Sequence, residues 1–127
     1  MNLLVTGAYE LNGSELAELE AAGYCVTVLN NERTPVERPE RYEAVVCNSL
    51  FLHQPIEAFP NLRLLQLTSA GLDRVPLDYI RTRGIELHNA AGVYSVPMAE
   101  FAVGGILQHY KQSRFFAENQ KAHRWEK

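Results

Sequence analysis

Residues 64–88, LLQLTSAGLDRVPLDYIRTRGIELH, decide the fold of this 127-residue chain. The short apolar run at 64–67 is typical of a strand that is covered on both faces of a parallel sheet. Residues 75–83 have helical character, with Pro76 suited to the entrance of the helix and a glycine to its end. A second short apolar run follows at 85–88. The segment therefore predicts a strand, a helix and a second parallel strand, joined by a right-handed crossover.

The same alternation extends toward the amino terminus. Apolar runs at 3–5, 24–29 and 44–47 predict three further strands, and a helical stretch with Ser14 as its predicted N-cap follows the first of them. Five short strands separated by helical stretches predict an α/β domain with a flavodoxin-like, doubly wound parallel five-stranded sheet. The polar residues 30–41 contain two prolines and predict a surface loop with solvated charges.

The last third of the chain predicts a different element. Residues 95–123 contain no turn cluster and one proline near their start, so they predict a long C-terminal helix. The pair Gly104-Gly105 suggests a bend in this helix or the close approach of another element. The first half of the helix is apolar nearly all round, so it needs a covering partner, either a further domain or a second subunit. We therefore predict a sheet domain over residues 1–94 and a helical part over residues 95–127.

Composition and charge argue against several classes of function. The net charge is −3 and the basic residues are interleaved with acidic ones, which argues against a nucleic-acid partner. No apolar run approaches the roughly 20 residues that span a bilayer, and the amino terminus lacks the pattern of a signal peptide, so we expect a cytoplasmic protein without membrane contact. Cys25 and Cys47 lack metal-binding spacing and predict buried free thiols, with no disulfide and no metal site.

The turn after the first predicted strand is the first candidate for a ligand site. Residues 6–13, TGAYELNG, resemble the glycine turn of extended short-chain dehydrogenases, but Glu10 stands where a glycine should approach the pyrophosphate. A plain tight turn is therefore favoured over a dinucleotide site. The turn also lacks the hydroxyl-rich phosphate loop of flavodoxin. A phosphorelay receiver is excluded because Thr6 and Cys47-Asn48 occupy the positions of its acidic residues.

A second candidate site lies where the fourth predicted strand ends. Residues 66–73, QLTSAGLD, place small side chains directly after that strand, so backbone N–H groups can face a crevice and bind a carboxylate. Ligands of parallel sheets bind outside the carboxyl ends of the strands, where this loop is expected. From the spacing alone, a purely structural turn is favoured.

Together with the segment that follows, this loop resembles a known family. Ser69-Ala70-Gly71-Leu72-Asp73 and residues 89–100, NAAGVYSVPMAE, are similar to the N-terminal region of the D-isomer-specific 2-hydroxyacid dehydrogenases. The resemblance covers essentially the whole chain and includes residues 121–125, KAHRW. It implies a flavodoxin-like substrate domain that, in the family, faces a Rossmann domain across a cleft that holds NAD and substrate.

The resemblance implies only a few site residues within this chain. The backbone N–H groups of Ala70 and Gly71 match the positions that hold the substrate carboxylate. Tyr94 lies near the implied substrate pocket and interdomain hinge, with a packed aromatic as an equal alternative. The catalytic Arg, Glu and His of the family lie beyond Lys127, so none is matched by the histidines of this chain, which are His53, His88, His109 and His123.

Activity is therefore expected only in the intact protein, which would use NAD or NADP to interconvert small 2-keto and 2-hydroxy acids. The resemblance implies that the present chain is inactive alone and binds no nucleotide. It also explains the apolar helix, which would pack between domains and against a dimer partner. We predict a homodimer formed through residues 96–110, from Val96 to Tyr110.

Asn89 and Glu100 are expected to serve a turn and helix packing, respectively, rather than ligand binding. The alternative interpretation of the whole chain is a stand-alone flavodoxin-like binding or interaction module without catalysis. Such a module would use the apolar helix as its partner surface.

Overall fold

The computed structural model describes residues 1–126 and consists of a parallel sheet with its helices, followed by two further helices. The strands are β1 (Asn2–Thr6), β2 (Cys25–Leu29), β3 (Ala44–Cys47), β4 (Leu64–Leu67) and β5 (Glu86–His88). The α-helices are α1 (Gly13–Ala21), α2 (Leu77–Arg83), α3 (Ser95–Tyr110) and α4 (Ser113–Lys121). Single turns of 3₁₀ helix occur at Pro39–Arg41, Leu50–Leu52 and Ile56–Ala58. The chain divides into two compact units, of which the first ends at Ala91 and the second begins at Gly92.

The five strands are all parallel, in the order β2-β1-β3-β4-β5, which confirms the predicted sheet. In register, Val45 lies between Leu4 of β1 and Leu65 of β4. The direction of strand addition reverses next to β1, so the topological switch point lies between β1 and β3.

The core of the first unit lies on both faces of the sheet, because side chains alternate along each strand. Leu4, Val45 and Leu65 point into the larger cluster, which Ile56, Phe59 and Ile80 complete from the helical segments. Leu3, Val5 and Ala44 point into the smaller cluster, where partly buried side chains that include Leu11 and Leu19 cover them. This two-sided burial explains why the central strands are short, continuous apolar runs.

The predicted N-cap of α1 was wrong, since Asn12 caps this helix instead of Ser14. The Asn12 side chain accepts hydrogen bonds from the N–H groups of Ser14 and Glu15, both at 3.0 Å. The Glu15 carboxylate accepts a hydrogen bond from the Asn12 N–H at 2.9 Å, which completes a capping box.

The predicted long C-terminal helix is two helices, α3 and α4. The break lies at Gln112, whose φ of 49° and ψ of 39° are left-handed and end the preceding helix. Gly104-Gly105 stay inside α3, and among the described residues a Cβ at either glycine would meet no atom within 4 Å. No described helix has both the length and the apolar character needed to cross a membrane.

One of the two predicted buried thiols is exposed. Cys47 is buried in the larger cluster, and burial, followed by the charge of Glu32, raises the pKa of its thiol to about 12. Cys47 therefore stays a neutral thiol near pH 7. Cys25 is exposed because it lies on β2, one of the two edge strands of the sheet, where one side of the strand has no neighbour.

The predicted surface loop 30–41 contains one carboxylate that is not simply solvated. Glu32 accepts hydrogen bonds from the Thr6 hydroxyl at 2.6 Å and from the Asn48 N–H at 2.7 Å. Ser49 donates two more, from its N–H at 2.8 Å and from its hydroxyl at 2.6 Å. Burial raises the pKa of Glu32, but these donors outweigh that effect and hold its pKa below the ordinary value. The carboxylate thus joins the loop after β2 to the carboxyl ends of β1 and β3.

Substitution of Gly7 is expected to destabilise the fold because its backbone lies against the end of β2. The Gly7 N–H donates to the Leu29 carbonyl at 2.7 Å, and a Cβ at this position would collide with the backbone of Asn30. We expect Gly7→Ala to lower the free energy of unfolding by about 2–4 kcal/mol, as measured by urea unfolding. Gly13→Ala is the matched control, since a Cβ there meets nothing within 4 Å. Equal stability of the two variants would contradict the close approach.

The stabilising effect of Glu32 is expected to depend on pH. Because folding lowers the pKa of Glu32, the ionised group contributes fully above the ordinary pKa of a glutamate, about 4.3. This contribution is lost as the pH falls through the lowered pKa of the folded state. We expect Glu32→Gln to lower the free energy of unfolding by about 1–3 kcal/mol near pH 7, and by less near pH 3.

Urea unfolding of the Glu32 variant and the parent chain at both pH values measures this difference. Glu37→Gln removes an exposed charge from the same loop and is expected to change the stability little at either pH. A loss of stability in the Glu32 variant that is independent of pH would show that the charge is not what these donors stabilise.

Candidate functional site

Two backbone N–H groups of exposed residues, at the carboxyl edge of the sheet, form the candidate site. They belong to Ala70 and Gly71, in the loop that follows β4. We call these two groups the N–H pair. Within residues 1–126, neither of them has a hydrogen-bond acceptor. Adjacent N–H groups in a loop of small residues can together bind an anion by donating hydrogen bonds to it.

The N–H pair is oriented by the segment that follows β5. The Ala70 carbonyl accepts a hydrogen bond from Nδ2 of Asn89 at 2.7 Å. Because a peptide unit is planar, this bond also sets the direction of the Gly71 N–H, which belongs to the same unit. The Ser69 carbonyl accepts a hydrogen bond from the Ala90 N–H at 3.0 Å, which orients the Ala70 N–H in the same way.

The role of Asn89 is broader than the sequence predicted. The expected turn is present, since Oδ1 of Asn89 accepts a hydrogen bond from the Ala91 N–H at 3.3 Å. The bond from Asn89 to the Ala70 carbonyl was not predicted. The available signal was the position of Asn89, which directly follows β5 at the edge where the neighbouring strand β4 also ends.

Gly71 lies close to the side chain of Asp73 and has no unusual backbone angle. A Cβ at Gly71 would lie 2.7 Å from Oδ1 of Asp73, so another residue here would displace the end of that side chain. Asp73 itself is exposed, so its side chain is free to move, and its charge is largely screened by water.

Tyr94 lies in the second unit, directly before α3, and its side chain is 49% exposed. A place for Tyr94 in a substrate pocket stays a prediction. Among the four histidines, His88 forms a hydrogen bond of 2.7 Å with the Glu86 carboxylate on the surface of β5. No group of three or more metal-ligating side chains within residues 1–126 could hold a metal ion.

The turn before α1 does not fit a dinucleotide phosphate. The Asn12 side chain already occupies the N–H groups at the start of α1 that a pyrophosphate would need. The Glu15 carboxylate lies at the same helix end, where it also accepts a hydrogen bond from the Tyr9 hydroxyl at 2.8 Å. Together with the exposed Glu10, it places negative charge where a phosphate would bind.

The topological switch point between β1 and β3 also offers little to an anion. Ligands of such sheets commonly bind there. Here the Glu32 carboxylate occupies the N–H groups of Asn48 and Ser49. A second anion would meet a like charge at this point. The N–H pair at the ends of β4 and β5 is therefore the better anion-binding position.

Comparison with known proteins identifies a family. The family model described as D-isomer specific 2-hydroxyacid dehydrogenase, catalytic domain, matches residues 4–124. Among curated proteins, the chain is similar to an erythronate-4-phosphate dehydrogenase from Pseudoalteromonas atlantica. The two are 29% identical over 51 residues, which make up 40% of this chain and 14% of that protein.

Solved structures share the fold of the chain. A D-lactate dehydrogenase from Aquifex aeolicus, complexed with NAD and lactic acid, has a TM-score of 0.73 and 17% identity; the match covers 99% of this chain and 39% of that one. An NADPH-dependent glyoxylate/hydroxypyruvate reductase from Sinorhizobium meliloti, in complex with NADP and malonate, has a TM-score of 0.69 and 19% identity, with coverage of 98% and 41%. The chain thus spans about two-fifths of the length of these proteins.

The family match includes the loop that carries the N–H pair, the segment that orients it and both helices of the second unit. It therefore covers the two motifs whose spacing carries the resemblance. The chain belongs to the D-isomer specific 2-hydroxyacid dehydrogenase family.

Proposed function

We propose that residues 1–127 form the substrate-binding part of an NAD(P)-dependent D-2-hydroxyacid dehydrogenase, which interconverts small 2-keto and 2-hydroxy acids. The observation that carries this proposal is the N–H pair, which belongs to exposed residues, has no acceptor among the described residues and is oriented by hydrogen bonds from Asn89 and Ala90. All substrates of this class carry a carboxylate next to the reacting carbon. Two oriented N–H groups can bind that carboxylate and so position the reacting carbon.

In this proposal, the reaction needs residues outside this chain. NAD or NADP carries the hydride when bound, and NAD and NADP are present in the two solved relatives described above. The turn before α1 cannot hold its phosphates, and the chain spans about two-fifths of those relatives. We therefore place the cofactor-binding domain and the catalytic groups beyond residue 127, and expect the chain to be inactive alone. Residues 1–94 would form the substrate domain, with Tyr94 at its pocket, and residues 95–127 the interdomain helical part.

The test of this function is kinetic and concerns Asn89. We expect the intact protein to oxidise its reduced nicotinamide cofactor with a 2-keto acid. In Asn89→Ala the Gly71 N–H loses its fixed direction, so KM for that acid should rise about 5- to 10-fold with a smaller change in kcat.

Asn61→Ala is the matched control. Nδ2 of Asn61 also donates to a backbone carbonyl at 2.7 Å, that of Glu40, and Asn61 precedes β4 at the opposite edge of the sheet. An unchanged KM in the Asn89 variant, or an equal rise of KM in the Asn61 variant, would contradict binding of the substrate carboxylate by the N–H pair. Absence of activity with every 2-keto acid would sink the proposed function.

We also propose that the protein forms a homodimer through residues 96–110. This proposal is supported by α3, which exposes large apolar side chains along its length. Their exposed fractions are 64% for Val96, 68% for Met98, 86% for Phe101, 55% for Ile106 and 79% for Tyr110. Monomeric proteins rarely leave such a contiguous apolar surface uncovered, because its burial against a partner is favourable. A second copy of the chain offers a matching apolar surface.

Sedimentation velocity over a range of concentrations tests the dimer. We expect the 127-residue chain to associate and Phe101→Glu to weaken the association at least about 10-fold, since a charge would be buried in the interface. Trp125→Glu is the control, because Trp125 is 91% exposed but lies outside residues 96–110. A parent chain that stays monomeric at high concentration, or equal effects of the two substitutions, would contradict this interface.

A further inference from the structure

The loop that carries the N–H pair also carries a half-buried arginine. Arg74 lies three residues after Gly71, so their Cα atoms are at most about 11 Å apart. Its Nη1 donates a hydrogen bond of 2.7 Å to Oδ1 of Asn48, in the turn after β3. The guanidinium is therefore held at the same edge of the sheet as the N–H pair, between the loops that follow β3 and β4.

The partner of Arg74 is itself rigidly held. The N–H groups of Asn48 and Ser49 both donate to the Glu32 carboxylate, at 2.7 and 2.8 Å. The turn that presents the Asn48 side chain is thus fixed to the end of β1 through the Thr6 hydroxyl, which donates to the same carboxylate. Arg74 consequently has a defined position, which selective binding of a ligand requires.

The guanidinium of Arg74 has no direct ion-pair partner among residues 1–126. Its fixed bond goes to a neutral amide oxygen, and a guanidinium has five N–H donors. Glu32 keeps its negative charge, but its oxygens already accept hydrogen bonds from four neutral donors. The half-buried guanidinium therefore has donors left for a direct, charge-assisted hydrogen bond to an anionic ligand.

We propose that Arg74 is a specificity-determining residue that binds a second anionic group of the substrate. This inference rests on the proposed function, in which the N–H pair binds the first carboxylate. It predicts that the preferred substrates are short 2-keto acids with a further carboxylate or phosphate. A residue that only tied the two loops together would need a donor for Asn48 but no charge, and it would not distinguish one substrate from another.

Binding to the 127-residue chain tests this inference without any catalysis. The ligands are malonate, with two carboxylates, and lactate, with one, and the readout is the NMR shift of the Gly71 amide and of the Arg74 Nε–H. We expect malonate to move both signals and to bind more tightly than lactate. Arg74→Met should weaken malonate binding about 10- to 100-fold and change lactate binding less than about 3-fold. The control is Arg63→Met, which removes an exposed arginine directly before β4.

Kinetics of the intact protein identify the anionic group. Pyruvate, oxaloacetate and phosphohydroxypyruvate are compared in the parent protein and in its Arg74→Met variant. A loss of kcat/KM confined to oxaloacetate supports a carboxylate at Arg74, and one confined to phosphohydroxypyruvate supports a phosphate. The conservative variant Arg74→Lys should recover part of the lost kcat/KM, because it restores the charge but not the planar fork of the guanidinium.

Two outcomes overturn the inference while leaving the proposed function intact. One is an equal loss in the Arg74→Met variant of affinity for malonate and lactate, or of kcat/KM for all three keto acids. Arg74 would then only connect the two loops. The other is malonate binding no tighter than lactate binding in the parent chain. Conversely, malonate binding that depends on Arg74, in a protein that reduces no 2-keto acid, would overturn the proposed function alone.

Discussion

The carboxylate of Glu32 is the interaction on which the functional edge of this sheet depends. A single negative charge accepts four hydrogen bonds, and its donors come from the ends of β1 and β3. The N–H groups of Asn48 and Ser49, in the turn after β3, need an acceptor because burial without one costs free energy. Glu32 supplies that acceptor at the switch point. Glu32 thereby occupies these N–H groups, whereas those of Ala70 and Gly71, after β4, have no acceptor among residues 1–126.

Much of the fold could be predicted from short-range patterns. Each central strand is a short apolar run because the sheet buries side chains on both faces, and such runs are visible without knowledge of the tertiary structure. The loop with Ala70 and Gly71 could be predicted because small residues directly follow a strand. The pattern of Asn12 and Glu15 was also visible as a capping box, although the helix start was assigned to Ser14.

The features that could not be predicted depend on contacts between residues far apart in the sequence. Glu32 stands in a polar loop, and its donors lie 16 to 26 residues away. The exposure of Cys25 follows from the edge position of β2, which is a property of the strand order. The break between α3 and α4 lies at Gln112, and glutamine carries no local signal for a left-handed backbone. The bond from Asn89 to Ala70 likewise becomes apparent only when β4 and β5 are adjacent.

The segment after β5 takes part in two structures at once. Asn89 and Ala90 hold the peptide planes of the N–H pair, and the first compact unit ends one residue later, at Ala91. No spare length of chain separates the hydrogen bonds from the unit boundary. The hydrogen bonds that orient the N–H pair therefore lie at the carboxyl end of the first unit, within three residues of Gly92.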